Sequence, residues 1–530
     1  MSDTKEKKKK PSALKKLFDL AGKNTTFLRD GDEVFVKVYK NKVRQVYPLK
    51  SKAYKNYIMA MYIYKYKTTL DKKTTDGVLE NLEGVYSLLK EEVRVYTRIA
   101  YNHDEIEIDL GDPNWNSIKI NKTGWTVSPH KEHLFRPKNT LPLTVPASSA
   151  KKLKLFKELF RLSEDDYKLI IGWLLECFMP QEPYPILILQ GQQGSGKSTL
   201  VKLLRSIIDP SKAPSISLPK EEKDLYIQAK NNLILSYDNQ RELKFEISDR
   251  LCRISTGGGY SSRKLYTDFD EIELNFSRPI MLNGINNIAT QSDLNSRAIT
   301  IHLNEITDSR MQMKDLESIF NESRAEMLGE LCDTVVAILN AEEPELKLGR
   351  MADFIVWVTK GEEALGWDKY SFQQAYENNK KEVIKARLEN DPVFSTLTKL
   401  VSEHDSKIVF DGIPSELSNQ LQGRMNEEYT IGNFPRYVST FSKRLRQLQP
   451  DFYDVGIKVH YSKSGYRRIV VENHDFQPEP IEDDEGQSGQ EGQEGRQISK
   501  KNPSVMSNGE KISVFLPAMP SVPSIYPKKS

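Results

Sequence analysis

The most constraining feature of the chain is a glycine-rich segment held between an apolar strand and an apolar helix. Residues 185–190 (PILILQ) have the composition of a buried strand, residues 191–199 continue as GQQGSGKST, and residues 200–208 form an apolar helical segment. This matches the pattern G-x-x-x-x-G-K-[ST] in the strand–loop–helix setting that the pattern requires. Backbone N–H groups of such a loop face phosphates, and the helix N-terminus adds partial positive charge. The sequence therefore predicts a nucleoside triphosphate site within an α/β core.

Two side chains of this loop have specific expected roles. Lys197 is expected to reach the β- and γ-phosphates, and the Ser198 hydroxyl is expected to take one position around Mg²⁺. ATP and Mg²⁺ are the predicted cofactors. The predicted nucleotide-binding residues are Gly191, Gln192, Gln193, Gly194, Ser195, Gly196, Lys197, Ser198 and Thr199.

Polar residues also follow the next apolar strands of the chain. Asp238 comes after the short strand 233–236 (LILS) and is predicted to hold the metal with Ser198. Asn283 follows the strand 279–282 (PIML), where an amide suits the attacking water or the γ-phosphate. Arg297 precedes the strand 298–303. It is expected either to act as an arginine finger in a neighbouring subunit's site or to form a surface salt bridge.

Composition excludes several classes of protein. The longest apolar stretch, residues 169–179, contains Glu176 and is too short to cross a bilayer. The lysine-rich N-terminal segment lacks the apolar region that a signal peptide requires. Cys177, Cys252 and Cys332 are too few and too far apart for a disulfide framework or a cysteine zinc site. A reducing compartment is therefore expected. The net charge of +3 indicates nothing about nucleic acid by itself.

Local clustering of cations near the C-terminal end is more informative. Residues 391–473 have the order helix (392–403), helix (414–422), helix (435–448) and hairpin (456–461 and 466–472), which suggests a winged helix. Cations on the third helix and the hairpin favour duplex DNA binding, with a basic protein-docking face as the alternative. The cations are Arg436, Lys443, Arg444, Arg446, Lys458, Lys463, Arg467 and Arg468.

With these elements in place, the chain resembles the superfamily 3 helicases, and more closely the helicase-type ATPases of phages, plasmids and other mobile elements that are related to the poxvirus primase-helicase. The resemblance covers about residues 151–303. It rests on residues 191–199, 237–239, 248–260, 263–268, 278–285 and 293–297. The family is similar to AAA+ machines, which implies a hexameric ring with ATP between neighbouring subunits. It also implies that Lys197, Ser198 and Asp238 act in cis, that Asn283 is the sensor, and that Arg297 is the finger in trans.

The chain departs from the family pattern in two places. Many relatives have two adjacent acids where this chain has Asp238 and Asn239, so the usual glutamate base is absent. Viral members have Lys and His at the tip of a pore hairpin, whereas the tip here, residues 266–269 (YTDF), has no basic residue. Arg263 and Lys264 lie just before that tip and are the predicted DNA contacts of the hairpin.

The predicted fold class is multidomain α/β, with an AAA+-like P-loop ATPase core, an N-terminal α+β domain and a C-terminal winged helix. In the N-terminal domain, Asp104, Asp109 and Asp112 lie at or beside expected turns, which favours turn chemistry over a polymerase-type metal site. The predicted divisions are a basic disordered arm (1–23), the accessory domain (24–150), a helical connector (151–180), the ATPase (181–345), a helical linker (346–390), the winged helix (391–473) and a disordered tail (474–530). The alternative for the arm is a segment that binds nucleic acid.

These features and the resemblance together predict an ATP-driven DNA helicase or translocase that serves replication of a phage, plasmid or other mobile element, in the cytoplasm of a bacterial host cell or a virus-infected cell. The expected partners are further copies in a homo-hexamer, single-stranded DNA in the ring pore, duplex DNA at the winged helix, and a primase or other replication protein. The alternative is an ATP-controlled DNA-binding switch that assembles without unwinding, and Asn239 and the hairpin tip without a basic residue favour it. A small-molecule P-loop kinase is disfavoured, because such an enzyme needs neither a trans finger nor a winged helix.

Overall fold

The computed structural model describes residues 11–474, apart from 41–42, 103–104, 149–150, 242, 259, 264–270, 275, 286–287, 289–290, 306–311, 347–348, 389–390, 405, 426–433 and 463–467. The described part of the chain belongs to one compact unit. None of its helices is both long enough and apolar enough to cross a bilayer.

The N-terminal part contains two sheets. It comprises α1 (Ala13–Asn24), β1 (Thr25–Asp30), β2 (Glu33–Lys40), β3 (Val43–Pro48), α2 (Lys52–Tyr66), α3 (Lys72–Tyr86), β4 (Tyr96–Thr97), β5 (Ile99–Asn102), β6 (Glu105–Asp109), β7 (Asn116–Asn121), β8 (Gly124–Pro129) and β9 (Leu134–Phe135). The sheet orders are β1-β2-β3-β9-β4 and β5-β6-β7-β8. The first sheet and its helices share one apolar core, whereas Ile106, Ile108, Ile118 and Ile120 of the second sheet pack into the central core. The accessory domain predicted for residues 24–150 is therefore divided between two cores.

The arm predicted to be disordered is partly a packed helix. Residues 13–23 belong to α1, whose Leu17, Leu20 and Ala21 are buried, and the Ser12 hydroxyl caps the helix by accepting a hydrogen bond from the Lys15 N–H. Apolar residues at three- and four-residue spacing supply a face to bury, which a lysine count does not reveal. This corrects the prediction for residues 13–23, and residues 1–10 lie outside the described residues.

The aspartates of the second sheet have structural partners. Asp109 accepts hydrogen bonds from the Gly111 N–H (2.9 Å) and the Arg136 Nε (2.8 Å), and Asp112 accepts from the Asn116 N–H (2.8 Å). Burial alone would raise the pKa of Asp109, but hydrogen bonds from His130 and Arg136 outweigh it and hold the pKa well below its usual range. The turn and structural role is confirmed for Asp109 and Asp112, and Asp104 lies outside the described residues.

The central part has a parallel sheet with helices on both faces. After a 3₁₀ helix (Lys152–Lys154), its elements are α4 (Leu155–Phe160), α5 (Glu164–Glu176), β10 (Ile186–Gln190), α6 (Lys197–Ile208), α7 (Glu222–Asn231), β11 (Leu235–Gln240), α8 (Phe245–Ser255), β12 (Tyr260–Arg263), β13 (Glu271–Leu274), β14 (Ile280–Gly284), α9 (Ser292–Asn295) and β15 (Ala298–His302). The order is β11-β14-β10-β15, and all the pairs are parallel. Alternate residues of β10 face different cores, Leu187 and Leu189 on one side and Ile186 and Ile188 on the other.

The helices that follow belong to the central core rather than to a linker. They are α10 (Met313–Asn340), α11 (Ala352–Thr359), α12 (Glu362–Leu365) and α13 (Ser371–Leu388). Phe354, Val358, Phe372 and Tyr376 are buried in that core, and Gly172 of α5 lies directly against the Phe372 ring. The linker predicted for residues 346–390 is corrected accordingly, because four large side chains of two helices share one core with α5.

The C-terminal part has its own core. Its elements are α14 (Pro392–Ser402), β16 (Ile408–Gly412), α15 (Pro414–Gln422), α16 (Val438–Gln447), α17 (Gln449–Asp454), β17 (Ile457–Ser462) and β18 (Arg468–Asn473), with the sheet order β16-β18-β17. The three expected helices and the hairpin are present. Sequence analysis missed β16, which pairs with β18 to make a three-stranded sheet, and α17.

Candidate functional site

The glycine-rich loop joins β10 to α6 with a backbone that requires glycine. Gly191, Gly194 and Gly196 have φ values of 154°, 88° and 86°. A Cβ on Gly191 would overlap the carbonyl oxygen of Leu303 and approach the Ser195 hydroxyl to 2.7 Å. Any side chain at position 191 would therefore displace the loop from the end of the neighbouring strand β15.

Lys197 is the first residue of α6, and its ammonium group lies across the loop. Its Nζ donates to the carbonyl oxygens of Gly191 (2.8 Å) and Gln192 (2.7 Å) and to the Ser195 hydroxyl (3.3 Å). Burial lowers the pKa of Lys197, and the charge of Asp238 partly opposes this effect. The loop therefore curls around a cation at the N-terminus of a helix.

Ser198 and Asp238 come together at the carboxyl edge of the sheet. The Ser198 hydroxyl lies 3.3 Å and 3.4 Å from the two carboxylate oxygens of Asp238. Because β10 and β11 run in the same direction on either side of β14, their polar ends reach the same edge of the sheet. The pairing of these two residues, which was predicted from strand ends, is present.

Asn283 lies at the end of β14, between β11, which carries Asp238, and β10, which leads into the glycine-rich loop. Its Oδ1 accepts a hydrogen bond from the Asn239 backbone N–H at 2.8 Å. Its Nδ2 is buried and has no hydrogen-bond partner in the part of the chain that the structure describes. Asn239 has a φ of 55° and an exposed side chain. The backbone bond that fixes Asn283 was not predicted, since no side-chain pattern encodes it.

Arg297 is paired within its own chain. Its guanidinium forms an ion pair with Asp293, whose carboxylate also lies 3.1 Å from Arg350. Burial opposes the ionised form of Asp293, but the hydrogen bond from Arg297 outweighs this and lowers the pKa of the carboxyl. The surface salt bridge, one of the two expectations for Arg297, is therefore present in the isolated chain.

A cavity that sequence analysis missed adjoins the loop. It has a volume of about 370 Å³ and is lined by Gln190, Gln192, Thr300 and residues 302–305, among others. Gln190 and Thr300 are each 4% exposed, and the Gln190 Nε2 and Thr300 Oγ1 atoms have no hydrogen-bond partner among the described residues. Two buried polar atoms beside a cavity are free to bind a polar ligand.

The predicted DNA contacts fall into three groups. Lys264, Lys463 and Arg467 lie outside the described residues, and Arg263 belongs to β12. Arg436, Lys443 and Arg446 are exposed on or beside α16.

The third group is held in intramolecular ion pairs. Arg444 lies 2.7 Å from Asp391, and the Arg468 Nη2 lies 2.6 Å from Asp411. The charge of each of these cations is already compensated within the protein. The predicted basic surface is therefore smaller than the residue count indicates.

Comparisons with known proteins give one family match. Residues 155–379 match the model of a family described as actinomycete integrative conjugative element replication protein. No curated protein matched. A structure described as the A form apo structure of the NrS-1 C-terminal region is similar at a TM-score of 0.38 and 14% identity, over 86% of this chain and 98% of that chain. The apo structure of NrS-1 C-terminal region (305–718) gives a TM-score of 0.38 and 15% identity, over 88% and 100%. TM-scores this low support no conclusion.

Proposed function

We propose that this protein is an ATP-driven DNA helicase or translocase that acts in replication of a mobile genetic element. The observation that carries the proposal is the meeting of Ser198 and Asp238 beside Lys197 at one edge of a parallel sheet. A lysine and a hydroxyl in a glycine-rich loop, with a carboxylate from a neighbouring strand end, are the recurring parts of P-loop phosphoryl transfer. The family matched by residues 155–379 supports the replication context.

The side chains of the site fit the binding of Mg²⁺ with a triphosphate. The Ser198 hydroxyl and the Asp238 carboxylate offer hard oxygen ligands, and Mg²⁺ with nucleotides commonly takes only one or two protein carboxylates. Ser198 and Asp238 would hold the ion, which would supply positive charge to the phosphates. Lys197 would exchange its two carbonyl contacts for phosphate oxygens, while the unpaired Asn283 Nδ2 would donate to the γ-phosphate or to the attacking water.

The cavity beside the loop fits the nucleobase. It adjoins Gly191 and Gln192. The Gln190 Nε2 and Thr300 Oγ1, which have no partner among the described residues, provide hydrogen-bonding groups that water or a base edge would satisfy. A base at this position would place the phosphates along the loop towards Lys197.

Assembly into a ring would give Arg297 its second role. In the single chain its guanidinium is paired with Asp293. A neighbouring subunit's γ-phosphate would compete for the same cation, so that Arg297 would exchange a carboxylate for a phosphate on assembly. We propose a homo-hexamer with ATP between subunits, in line with the resemblance to AAA+ machines.

An ATP-controlled DNA-binding switch is the second candidate, and Asn239 favours it. An amide at that position cannot accept a proton from the attacking water, as a glutamate would. Hydrolysis would then depend on positioning by Asn283 and Asp238. A protein that binds ATP and assembles on DNA but does not separate strands would support the switch.

The test compares two lysines of the same helix. Lys197→Ala should reduce DNA-stimulated ATP hydrolysis by at least about 100-fold, because it removes the charge that stabilises the transferring phosphate. Lys202→Ala is the matched control, because Lys202 is exposed and is paired with Glu317 at 2.5 Å. Hydrolysis and unwinding of a forked DNA would be measured for both variants and the wild type. Normal turnover in Lys197→Ala would refute the proposal, while wild-type hydrolysis without unwinding would favour the switch.

A further inference from the structure

A second cavity lies where the N-terminal strands meet the central sheet. Its volume is about 400 Å³, within the range of about 300–1,000 Å³ of small-molecule sites. Residues 92–97 form one wall and residues 276–279 another. No residue of the glycine-rich loop lines it, so it is separate from the triphosphate site described above.

Two arginine–aromatic pairs line these walls. The Arg94 guanidinium lies 5.3 Å from the centre of the Tyr96 ring, and the Arg278 guanidinium lies 5.4 Å from the centre of the Phe276 ring. In both pairs the cation and the ring are two residues apart in the chain. Two distant segments thus bring the same pair of chemical groups to one cavity.

Among the described residues, the two guanidinium groups have no carboxylate in direct contact. Neither Arg94 nor Arg278 has a carboxylate oxygen within 4 Å in the part of the chain that the structure describes. Burial lowers the pKa of Arg278; Tyr184, Tyr101 and Asp209 oppose this effect, and the positive charge of Arg94 adds to it. Arg278 donates to the carbonyl oxygens of Ala229 (2.8 Å) and Ser277 (3.0 Å), which leaves further N–H groups of its guanidinium for a ligand.

Three carboxylates, Asp30, Glu92 and Glu182, also line the cavity, and the first two accept hydrogen bonds from other groups. Asp30 accepts a hydrogen bond from the Val95 N–H at 2.8 Å. Glu92 accepts from Arg29 at 3.2 Å and from the Gly31 N–H at 2.9 Å. The charges of Asp30 and Asp209 partly offset those of Arg94 and Arg278, and an anion would give the two guanidinium groups a direct partner, which no carboxylate of the described residues provides.

We propose that this cavity binds one nucleotide unit, with its phosphate between Arg94 and Arg278 and its base against Tyr96 or Phe276. Guanidinium groups match phosphate geometry, and aromatic rings stack on any base. The unit is either a free mononucleotide or one residue of single-stranded DNA. Phe276 and Arg278 directly follow the hairpin of β12 and β13, which is the predicted pore hairpin, and this position favours a DNA strand.

The test measures binding without ATP and without Mg²⁺, so it does not depend on the triphosphate site. A fluorescein-labelled oligothymidylate would be titrated against wild type, Arg94→Gln, Tyr96→Leu and the control Lys90→Gln, whose side chain is exposed and does not line the cavity. Loss of one base–aromatic stack in Tyr96→Leu should weaken binding about tenfold or more. Arg94→Gln should reduce the slope of log affinity against log salt by about 0.7.

A second arm identifies the source of the nucleotide. Thymidine monophosphate would be titrated against the same four proteins by calorimetry. If both cavity variants lose affinity for the oligonucleotide alone, the ligand is a DNA strand. If they lose affinity for the mononucleotide alone, the ligand is a free nucleotide. If Arg94→Gln and Tyr96→Leu match Lys90→Gln with both ligands, the proposal is wrong. Because the titrations contain neither ATP nor Mg²⁺ and the substituted residues lie outside the triphosphate site, failure here is distinct from failure of the proposed motor.

Discussion

Two neighbouring cations of α16 should respond to substitution in opposite ways. Arg444 donates to the Oδ2 atom of Asp391 from Nε (2.9 Å), and its Nη2 lies 2.7 Å from the same oxygen. The other carboxylate oxygen of Asp391 accepts hydrogen bonds from the Val393 and Phe394 N–H groups at the start of α14. Because the Arg444 side chain is 38% exposed, the ion pair contributes at most about 1 kcal/mol to the stability of the folded state. Arg444→Ala should therefore destabilise the start of α14, and should change duplex DNA affinity little.

Lys443 is the matched residue with the opposite expectation. It is exposed and has no ion pair in the part of the chain that the structure describes. Lys443→Ala should leave stability unchanged, and if Lys443 contacts a phosphate, it should reduce the slope of log affinity against log salt by about 0.9 for duplex DNA.

Amide hydrogen exchange and fluorescence anisotropy would separate the two effects. A loss of about 1 kcal/mol corresponds to about fivefold faster exchange in residues 392–402, provided that exchange proceeds by local opening. Anisotropy across a salt series gives the slope for each variant with the same duplex. Unchanged exchange in Arg444→Ala together with a reduced slope would refute the assignment of Arg444 to a structural ion pair. An unchanged slope in Lys443→Ala would place α16 against solvent or a protein partner instead of DNA.

Three further predictions concern the central part of the molecule. The carboxylate of Glu176 is buried without a partner among the described residues, and burial raises its pKa well above the usual range. The folded-state pKa therefore exceeds the unfolded value of about 4.3. As the pH rises from the unfolded pKa towards the folded pKa, the free energy of unfolding should fall by up to about 1.4 kcal/mol per pH unit. Glu176→Gln should abolish this dependence in urea unfolding between about pH 5 and 8. Gln190→Leu should weaken binding of a fluorescent ATP analogue about fivefold, the loss expected for one hydrogen bond to the base, and an unchanged affinity would exclude the cavity as the base site. Arg297→Ala should bind nucleotide yet lose most turnover, and mixing it with Lys197→Ala should restore part of that turnover, whereas no rescue would leave Arg297 as a salt bridge only.

The central sheet could be predicted because its signals are local. The apolar run of β10, the glycines after it and the apolar helix α6 are contiguous, so the strand–loop–helix unit follows from neighbouring residues. The meeting of Ser198 and Asp238 could also be predicted, since strand ends of a parallel sheet share an edge. The order of the strands was not needed for that prediction, only their common direction.

Partners that are distant in sequence could not be predicted. Arg444 and Asp391 are 53 residues apart, and nothing in the run of cations on α16 distinguishes Arg444 from Lys443. The same limit applies to Phe372, whose contact with Gly172 makes α13 part of the core although its composition is that of a polar linker. Propensity and charge describe one residue at a time, whereas burial and pairing depend on what the fold places opposite.

The difference between Arg444 and Arg278 shows why a count of cations does not predict a binding surface. Arg444 belongs to a cluster that suggests DNA, yet its charge is compensated by a carboxylate 2.7 Å away. Arg278 lies in no cluster, yet within the described part of the chain it has no carboxylate within 4 Å, and the more distant charges of Arg94 and Asp209 act on it in opposite directions. Attraction of a phosphate depends on the net local charge that the fold leaves uncompensated, not on the number of lysines and arginines in a segment. Removing Arg94 or Arg278 should accordingly reduce the slope of log DNA affinity against log salt more than removing Arg444 or Arg468 does.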